Sequence, residues 1–177
     1  QVTLEQYLDA LADNERPLRN TDLMSLSDMT HEELEPLRHM WPDIDAERRA
    51  HVLARLIELS EDNLDADFND IFRYCLSDEN PGVKAKAIEG LWECDDRNLL
   101  TPLNTLLEQD PSDEVRAAAA MALGKFAVLS QSGKMLSKDG ERIKESLMQA
   151  IQNAKESQEV RRRAIEAVAP FNTTEIQ

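Results

Sequence analysis

The chain has 177 residues with a formal net charge of −15, and 41% of its residues are hydrophobic. This length suits one ordinary domain, and the composition is that of a folded protein rather than a disordered one. Residues 1–80 hold 20 acidic and 7 basic side chains, whereas residues 81–177 hold 15 and 13. A field of this sign repels phosphate backbones and argues against nucleic-acid binding. No apolar stretch approaches the roughly 18 residues that a membrane-spanning helix needs.

The first 29 residues predict two short helices. Over residues 3–14 the apolar side chains share one helix side, and Thr3 with Gln6 matches a capping box. After a proline break, residues 21–29 predict a second helix. Both segments are acidic, and we expect them to cap the structure that follows.

From residue 30 onward one helical register recurs four times. Each copy has a basic anchor, followed three, four and seven positions later by apolar or small side chains, which lie along one helix face. The anchors are Arg49, Lys84, Arg116 and Arg161. Their spacings of 35, 32 and 45 residues are typical of helical repeats, and we expect an inserted loop over residues 127–141 to enlarge the last one.

A second helical pattern precedes each anchor, so each unit reads as helix A, a short turn and helix B. The A helices are predicted over residues 30–41, 67–76, 98–109 and 139–154. Thr30 with Glu33 matches a capping box, and Asp67 is a suitable N-cap. Proline has no amide hydrogen, so we expect Pro170 to end the last helix B. The resulting hairpins would span residues 30–62, 66–96, 98–129 and 139–170.

An acidic residue stands six positions before each of the first three anchors. Stacked hairpins would bring successive turns together, so we expect acids and bases to alternate in a structural ladder along this edge. Its predicted members are Asp43, Arg49, Asp78, Lys84, Asp110 and Arg116. Lys155 occupies the equivalent place in the fourth copy, which predicts a break in the ladder there.

Residues 76–91, 108–126 and 155–168 resemble HEAT repeats, in particular the short bacterial variety. In each segment turn residues precede a Val-Arg or Val-Lys pair and a run of small side chains. The resemblance implies an all-α fold, a right-handed α-solenoid of about four hairpins over residues 30–171, with residues 1–29 as a cap. The small side chains would let neighbouring hairpins approach closely.

Residues 172–177 resemble the start of a further helix A, so we expect the natural chain to continue beyond Gln177. The first copy departs from the repeat pattern, because Arg48 stands where later copies have valine.

Catalytic and metal-binding motifs are missing from the sequence. The single His31-Glu32 pair cannot supply the three or four converging ligands that a metal site needs. No glycine-rich phosphate loop and no nucleophile motif is found. Cys75 and Cys94 have no disulfide-framework spacing and predict reduced thiols in a cytoplasmic protein. We therefore expect no enzyme activity, no metal and no cofactor.

The exposed side of the B helices is the natural binding platform, because it lines the concave side of a solenoid. This platform predicts a non-enzymatic scaffold or adaptor that binds a protein partner through a row of mostly charged side chains with a small apolar gap. These are His51, Arg55, Lys86, Glu89, Glu93, Ala118, Met121, Lys125, Arg162, Arg163 and Glu166.

Two alternatives stay open. HEAT-type bilin lyases have repeats like these, so a small-ligand or bilin-handling protein is the first. A nucleic-acid binder is the second, suggested by the basic run Arg161-Arg162-Arg163 and disfavoured by the net charge of −15.

Overall fold

The computed structural model describes residues 2–172, and this part of the chain is helical with no strand. The all-α prediction is therefore confirmed. By its internal packing the chain divides into two compact units, Gln1–Glu93 and Cys94–Gln177.

The first unit contains six α-helices among its described residues and a 3₁₀ turn at Trp41–Asp43. The helices are α1 (Leu4–Ala12), α2 (Asn20–Met24), α3 (His31–Met40), α4 (Ala46–Asp62), α5 (Asn69–Cys75) and α6 (Pro81–Gly90). The second unit begins with a 3₁₀ turn at Arg97–Leu99. Its helices are α7 (Leu100–Gln109), α8 (Asp113–Gln131), α9 (Ser137–Gln152) and α10 (Gln158–Asn172).

Side-chain caps set several helix starts in the first unit, as the sequence predicts. Thr3 Oγ1 accepts the Gln6 N–H at 3.3 Å while Gln6 Oε1 accepts the Thr3 N–H at 3.0 Å, which confirms the capping box of α1. Thr30 Oγ1 accepts the Glu33 N–H at 3.2 Å and begins α3. The predicted N-cap at Asp67 is wrong, because Phe68 holds that position; Asp67 Oδ1 accepts the Asn69 N–H at 2.9 Å from the turn just before α5.

Within the first unit the helices pack in the order expected of stacked hairpins. The A helices α3 and α5 contact each other, the B helices α4 and α6 pack together, and α5 packs on α6. The two N-terminal helices contact the first of these layers, α1 through α3 and α2 through α4. Gly90 of α6 lies directly against Phe72 of α5, and a Cβ on the glycine would be 2.5 Å from the phenyl ring.

The second unit repeats this layering. Here α7 packs on α8 and α9, and α10 packs on α8 and α9. A Cβ on Gly124 of α8 would lie 3.1 Å from Ala167 of α10, so these two helices nearly touch through their backbones. Ala119 and Ala120 are fully buried on the same helix. The small residues thus stand where close packing of helices leaves no room for larger side chains.

The repeated register decides which side chains are buried. The third and seventh positions after the anchor are buried in all four copies, from Val52 and Leu56 in α4 to Ala164 and Val168 in α10. The fourth position is buried in the first three copies, whereas Ile165 in α10 is 55% exposed.

Several predicted helix boundaries are wrong. The second helix, predicted over residues 21–29, is α2 and ends at Met24. The loop expected over residues 127–141 is confined to residues 132–136, because α8 continues to Gln131 and α9 begins at Ser137. Burial of Phe126 and Ala127 extends α8, and Gly133, with a positive φ of 72°, supports the turn that follows.

Pro170 does not end α10, which continues to Asn172. A proline one turn from the end removes a single helix hydrogen bond, and the buried Phe171 side chain opposes unwinding at this point. The further helix A predicted after residue 171 lies outside the described residues.

Candidate protein-binding surfaces

The turn edge of the first unit is built around Arg49. Its Nε and Nη2 donate hydrogen bonds to the two carboxylate oxygens of Asp78, at 3.2 and 3.1 Å. The same guanidinium donates from Nη1 to the Ile44 carbonyl of its own turn. Trp41 Nε1 donates to Asp78 Oδ2 at 3.0 Å, so the carboxylate of one predicted hairpin binds two side chains of the preceding one. Arg49 is only 8% exposed.

Arg116 has the same arrangement in the second unit. Its Nε and Nη2 donate to Glu156 at 3.0 and 2.8 Å, and its Nη1 donates to the Asp110 carbonyl at 2.8 Å. Burial raises the pKa of Glu156, but hydrogen bonds from Arg116 and from the Ser157 N–H outweigh it and hold that pKa below its ordinary range. The expected break at Lys155 is therefore wrong, because the next residue supplies the carboxylate.

The remaining predicted ladder residues are Asp43, Lys84 and Asp110. Asp43 is exposed, and no ion pair of it occurs within residues 2–172. Asp110 is buried, and its Oδ1 accepts the Ser112 N–H at 2.9 Å. Lys84 belongs to the first unit and Asp110 to the second, so the Lys84–Asp110 step of the ladder stays a prediction.

Two arginines of α4 connect it to the N-terminal segment. Arg48 donates to the carbonyls of Leu11, of Ala10 at 3.1 Å and of Arg16 at 2.9 Å, and so binds both the end of α1 and the loop that follows it. Arg55, predicted to bind a partner, donates to the Leu18 carbonyl at 3.2 Å and to Asn20 Oδ1. Sequence reasoning missed both roles, although the replacement of the usual valine by Arg48 was a visible signal.

The other predicted partner-binding residues of the first unit lie at its surface. His51, Glu89 and Glu93 are exposed, and Lys86 is partly exposed. Lys86 Nζ forms an ion pair with Glu89 at 3.0 Å, within one turn of α6. At such exposure the pair contributes little to stability, so both groups can exchange for a partner's charges.

In the second unit the structure brings several predicted residues together in one groove between α8 and α10. The groove has a volume of about 400 Å³. Its lining residues are Asp113, Glu114, Ala117, Ala118, Met121, Glu159 and Arg163. Met121 is 47% exposed beside the small Ala117 and Ala118 side chains, which leaves an apolar floor.

Charged side chains of α10 form one rim of this groove. Glu159 receives hydrogen bonds from Arg162 at 2.8 Å and from Arg163 at 3.1 Å. Hydrogen bonds from Arg162 lower the pKa of Glu159, so this carboxylate is charged at neutral pH. Arg163 also lies 3.4 Å from Glu166, another predicted partner-binding residue.

Lys125 differs from its predicted neighbours because it is partly buried. Its Nζ donates to the Cys94 carbonyl and lies 4.7 Å from the centre of the Phe126 ring. Burial lowers the pKa of Lys125. Of the predicted binding residues on α8, Met121 is therefore exposed, whereas Lys125 is only partly accessible.

A second cavity, which the sequence did not predict, lies between α3 and α5 of the first unit. It has a volume of about 520 Å³, and Arg38, Asp70, Tyr74 and Ser77 are among its lining residues. The Arg38 guanidinium stacks 5.4 Å from the centre of the Tyr74 ring, and Tyr74 Oη donates to the Arg38 carbonyl at 3.3 Å. Burial raises the pKa of Tyr74, so its hydroxyl stays protonated.

Features of reactive chemistry are sparse in the described part of the chain. Burial strongly raises the pKa of the Cys75 thiol, which makes it a neutral core side chain rather than a nucleophile. Residues 2–172 contain no group of three or more His, Cys, Asp or Glu side chains that could hold a metal ion. Within the same range, no helix has both the length and the apolar character to span a bilayer.

Comparison with known families agrees with this geometry. A family model for HEAT repeats matches residues 69–169, more than half of the chain. The protein belongs to the HEAT-repeat family, and its all-helical layers fit an α-solenoid. No curated protein matches the chain. HEAT repeats commonly serve as protein-interaction scaffolds and are generally non-enzymatic.

Proposed function

We propose that this protein is a non-enzymatic HEAT-repeat scaffold or adaptor that binds a protein partner through the exposed side of its B helices. The proposal includes a right-handed superhelix of about four hairpins capped by residues 1–29, with this side lining the concave surface. It also includes a cytoplasmic location, because Cys75 and Cys94 are free thiols and reducing compartments keep thiols in that state. Cell fractionation tests this location.

The groove between α8 and α10 is the observation that carries the proposal. Its apolar floor at Met121 lies within reach of the charged rim formed by Glu159 and Arg163. Apolar centres with charged rims are the usual anatomy of protein-binding sites. Because both helices are anchored by close packing at Gly124, the groove is preformed, and binding would need little ordering of the backbone.

A defined binding assay tests this surface. Pull-down with the full chain first provides a partner, whose purified form is then titrated against variants. We expect Met121→Glu to weaken binding at least about tenfold, since it places a charge on the apolar floor. Thr105→Glu, which adds the same charge to the exposed side of α7, is the matched control and should bind normally. Unchanged affinity for Met121→Glu would contradict the proposed surface.

Small-ligand binding is the second candidate function, favoured by the α3–α5 cavity. Its volume of about 520 Å³ is within the range of small-molecule sites. Tyr74 and Arg38 would provide the stacking and polar contacts. Native mass spectrometry of the purified protein tests this candidate. A bound small molecule that Tyr74→Ala releases would support it, whereas protein of unmodified mass would count against it.

A further inference from the structure

The groove between α8 and α10 has a described helix on each side. Gly124 of α8 and Ala167 of α10 pack against each other, which holds the two walls together. The lining residues Asp113 and Glu159 belong to the first turns of α8 and α10. Asn172, at the far end of α10, lies about 20 Å along the helix from Glu159. The groove is therefore a product of the packed helix pair, and its opening lies far from the last described residue.

Negative charge is in excess in this groove. Its lining residues include three carboxylates, Asp113, Glu114 and Glu159, and one guanidinium, that of Arg163. Arg163 already donates to Glu159 at 3.1 Å and to Glu166 at 3.4 Å, so its charge is compensated from within α10. Asp113 and Glu114 are exposed, and neither forms an ion pair in the described part of the chain. Two carboxylates without an ion-pair partner thus remain at the start of α8.

The exposed face of α8 joins these carboxylates to an apolar line. Carboxylates in a first turn are common, because they interact favourably with the helix dipole, and alone they would indicate no site. Here Glu114, Met121 and Val128 follow one another at intervals of seven residues, which places them on one helix face. All three are exposed, Met121 by 47% and Val128 by 53%. The small side chains of Ala117 and Ala118 leave space beside Met121.

The spacing and the charge of this face select one kind of occupant. Met121 and Val128 lie about 10 Å apart along the helix axis, which equals the spacing of apolar anchors two turns apart on a second helix lying along α8. The carboxylates at one end of the line call for Lys or Arg side chains. Nucleic acids and anionic membrane surfaces are repelled by the same carboxylates and by the net charge of −15.

We propose that this groove binds a basic amphipathic helix of a partner protein, with apolar side chains on Met121 and Val128 and a Lys or Arg side chain at Glu114. This rests on the proposed function, since it names the kind of partner that the groove takes. Burial of the apolar side chains supplies most of the affinity, and the flexible methionine adapts to their shape. The exposed ion pair contributes less affinity but fixes the direction of the helix, whose basic end lies at the start of α8.

Peptide titration followed by NMR tests this pairing. The full chain, ¹³C-labelled at its methionine methyl groups, is titrated with an alanine-rich helical peptide that carries two leucines one heptad apart and lysines one heptad beyond them. The Met121 methyl signal, assigned by its loss in Met121→Leu, should shift and saturate. A peptide with glutamates in place of the lysines should bind at least about tenfold more weakly, since like charges then meet at Glu114.

Two variants with matched controls separate the charged and apolar contacts. Glu114→Gln should weaken binding of the lysine peptide by about two- to fivefold, as expected for one exposed ion pair, whereas Glu141→Gln on the exposed side of α9 should not. Val128→Asn should weaken it by about three- to tenfold, because a half-exposed apolar side chain is removed from the contact. Leu64→Asn, at an exposed leucine of the first unit, is its control.

Equal affinity for the lysine and glutamate peptides would overturn the proposal, as would a Met121 signal that neither peptide shifts at millimolar concentration. A purified natural partner separates this failure from failure of the proposed function. If its affinity falls in Met121→Glu but is insensitive to Glu114→Gln and to salt, the groove is the binding surface and the basic helix is wrong. If its affinity is unchanged in Met121→Glu, both proposals are wrong.

Discussion

The first B helix, α4, and the last described one, α10, share a sequence register but differ in what surrounds them. Around α4, Arg48 and Arg55 bind carbonyls of the N-terminal segment, and Arg49 binds a carboxylate of the following hairpin. On α10 the equivalent of Arg49, Arg161, meets only a carbonyl of its own hairpin within residues 2–172. The same register thus holds an ion-paired, buried arginine on α4 and, among the described residues, an exposed arginine without a carboxylate on α10.

Removal of the Asp78 carboxylate, the ion-pair partner of Arg49 on α4, should lower stability more than any other substitution considered. Asp78→Ala leaves the buried Arg49 charge without its counter-ion, and we expect the free energy of unfolding to fall by about 3–5 kcal/mol. Urea denaturation followed by tryptophan fluorescence measures this in the first unit, which contains Trp41 and Trp92. Asp43→Ala, at the exposed acid, should change stability by less than about 0.5 kcal/mol. Equal effects of the two substitutions would contradict the assigned pairing.

A larger side chain at Gly124 should disturb the contact that supports the groove. Gly124→Val would drive two methyl groups toward Ala167, and overpacking of this kind costs about 1–3 kcal/mol. Hydrogen exchange of α8 and α10 amides should accelerate. Ala118→Val, which extends into the open groove, serves as the control. If exchange is equally fast in both variants, the close approach is not needed for packing.

Truncation of Arg48 should release the N-terminal segment while sparing the rest of the unit. Arg48→Met removes the charged donor from three carbonyls, and we expect a loss of about 1–2 kcal/mol. Limited proteolysis should then cut residues 13–19 faster than in the unaltered chain. Glu47→Gln, an exposed neighbour on α4, should not change the cleavage rate. Unchanged cleavage in Arg48→Met would show that other contacts hold the segment.

Acid should weaken the second unit through Glu156. Its pKa is lower in the folded chain than in the unfolded one, so the stability it contributes is present above the unfolded value, near pH 4.3. That contribution is lost as the pH falls through the folded pKa. Denaturation monitored by α10 amide exchange between pH 7 and pH 3 should show a shallower acid dependence in Glu156→Gln. An identical dependence would mean that the Arg116 pair is not formed in solution.

Substitution of Arg161 should have the smallest effect on stability. Arg161→Met loses one hydrogen bond to the Ile151 carbonyl and no described ion pair, so we expect a change below about 0.5 kcal/mol. Arg116→Met, the matched change where the carboxylate is present, should be clearly more destabilising. Thermal unfolding followed by circular dichroism compares the two variants. A destabilisation as large as that of Arg116→Met would show that Arg161 already has a partner.

Much of the fold was predictable because local signals agreed. The capping residues Thr3 and Thr30 fixed helix starts, and the spacing of apolar side chains after each anchor identified the buried stripe. The inserted loop was misplaced because anchor spacing measures only the distance between repeats. It does not reveal that burial of Phe126 and Ala127 lengthens α8.

The candidate site was less predictable, since exposure depends on neighbours that are distant in sequence. Ile165 has the sequence pattern of a buried residue yet is 55% exposed, and Arg55 has that of a solvent-facing one yet is partly buried against the N-terminal segment. The α3–α5 cavity left no sequence signal, because Arg38 and Tyr74 meet only when two A helices pack.

Solvent exchange of arginine Nε–Hε protons, measured by NMR on the unmodified chain, tests the account most directly. Arg49 and Arg116 donate from Nε to carboxylates and are largely buried, so they should exchange slowly. The exposed Arg161 donates from Nε only to the Ile151 carbonyl at 3.3 Å and should exchange distinctly faster. Exchange at Arg161 as slow as at Arg116 would contradict this difference between α4 and α10.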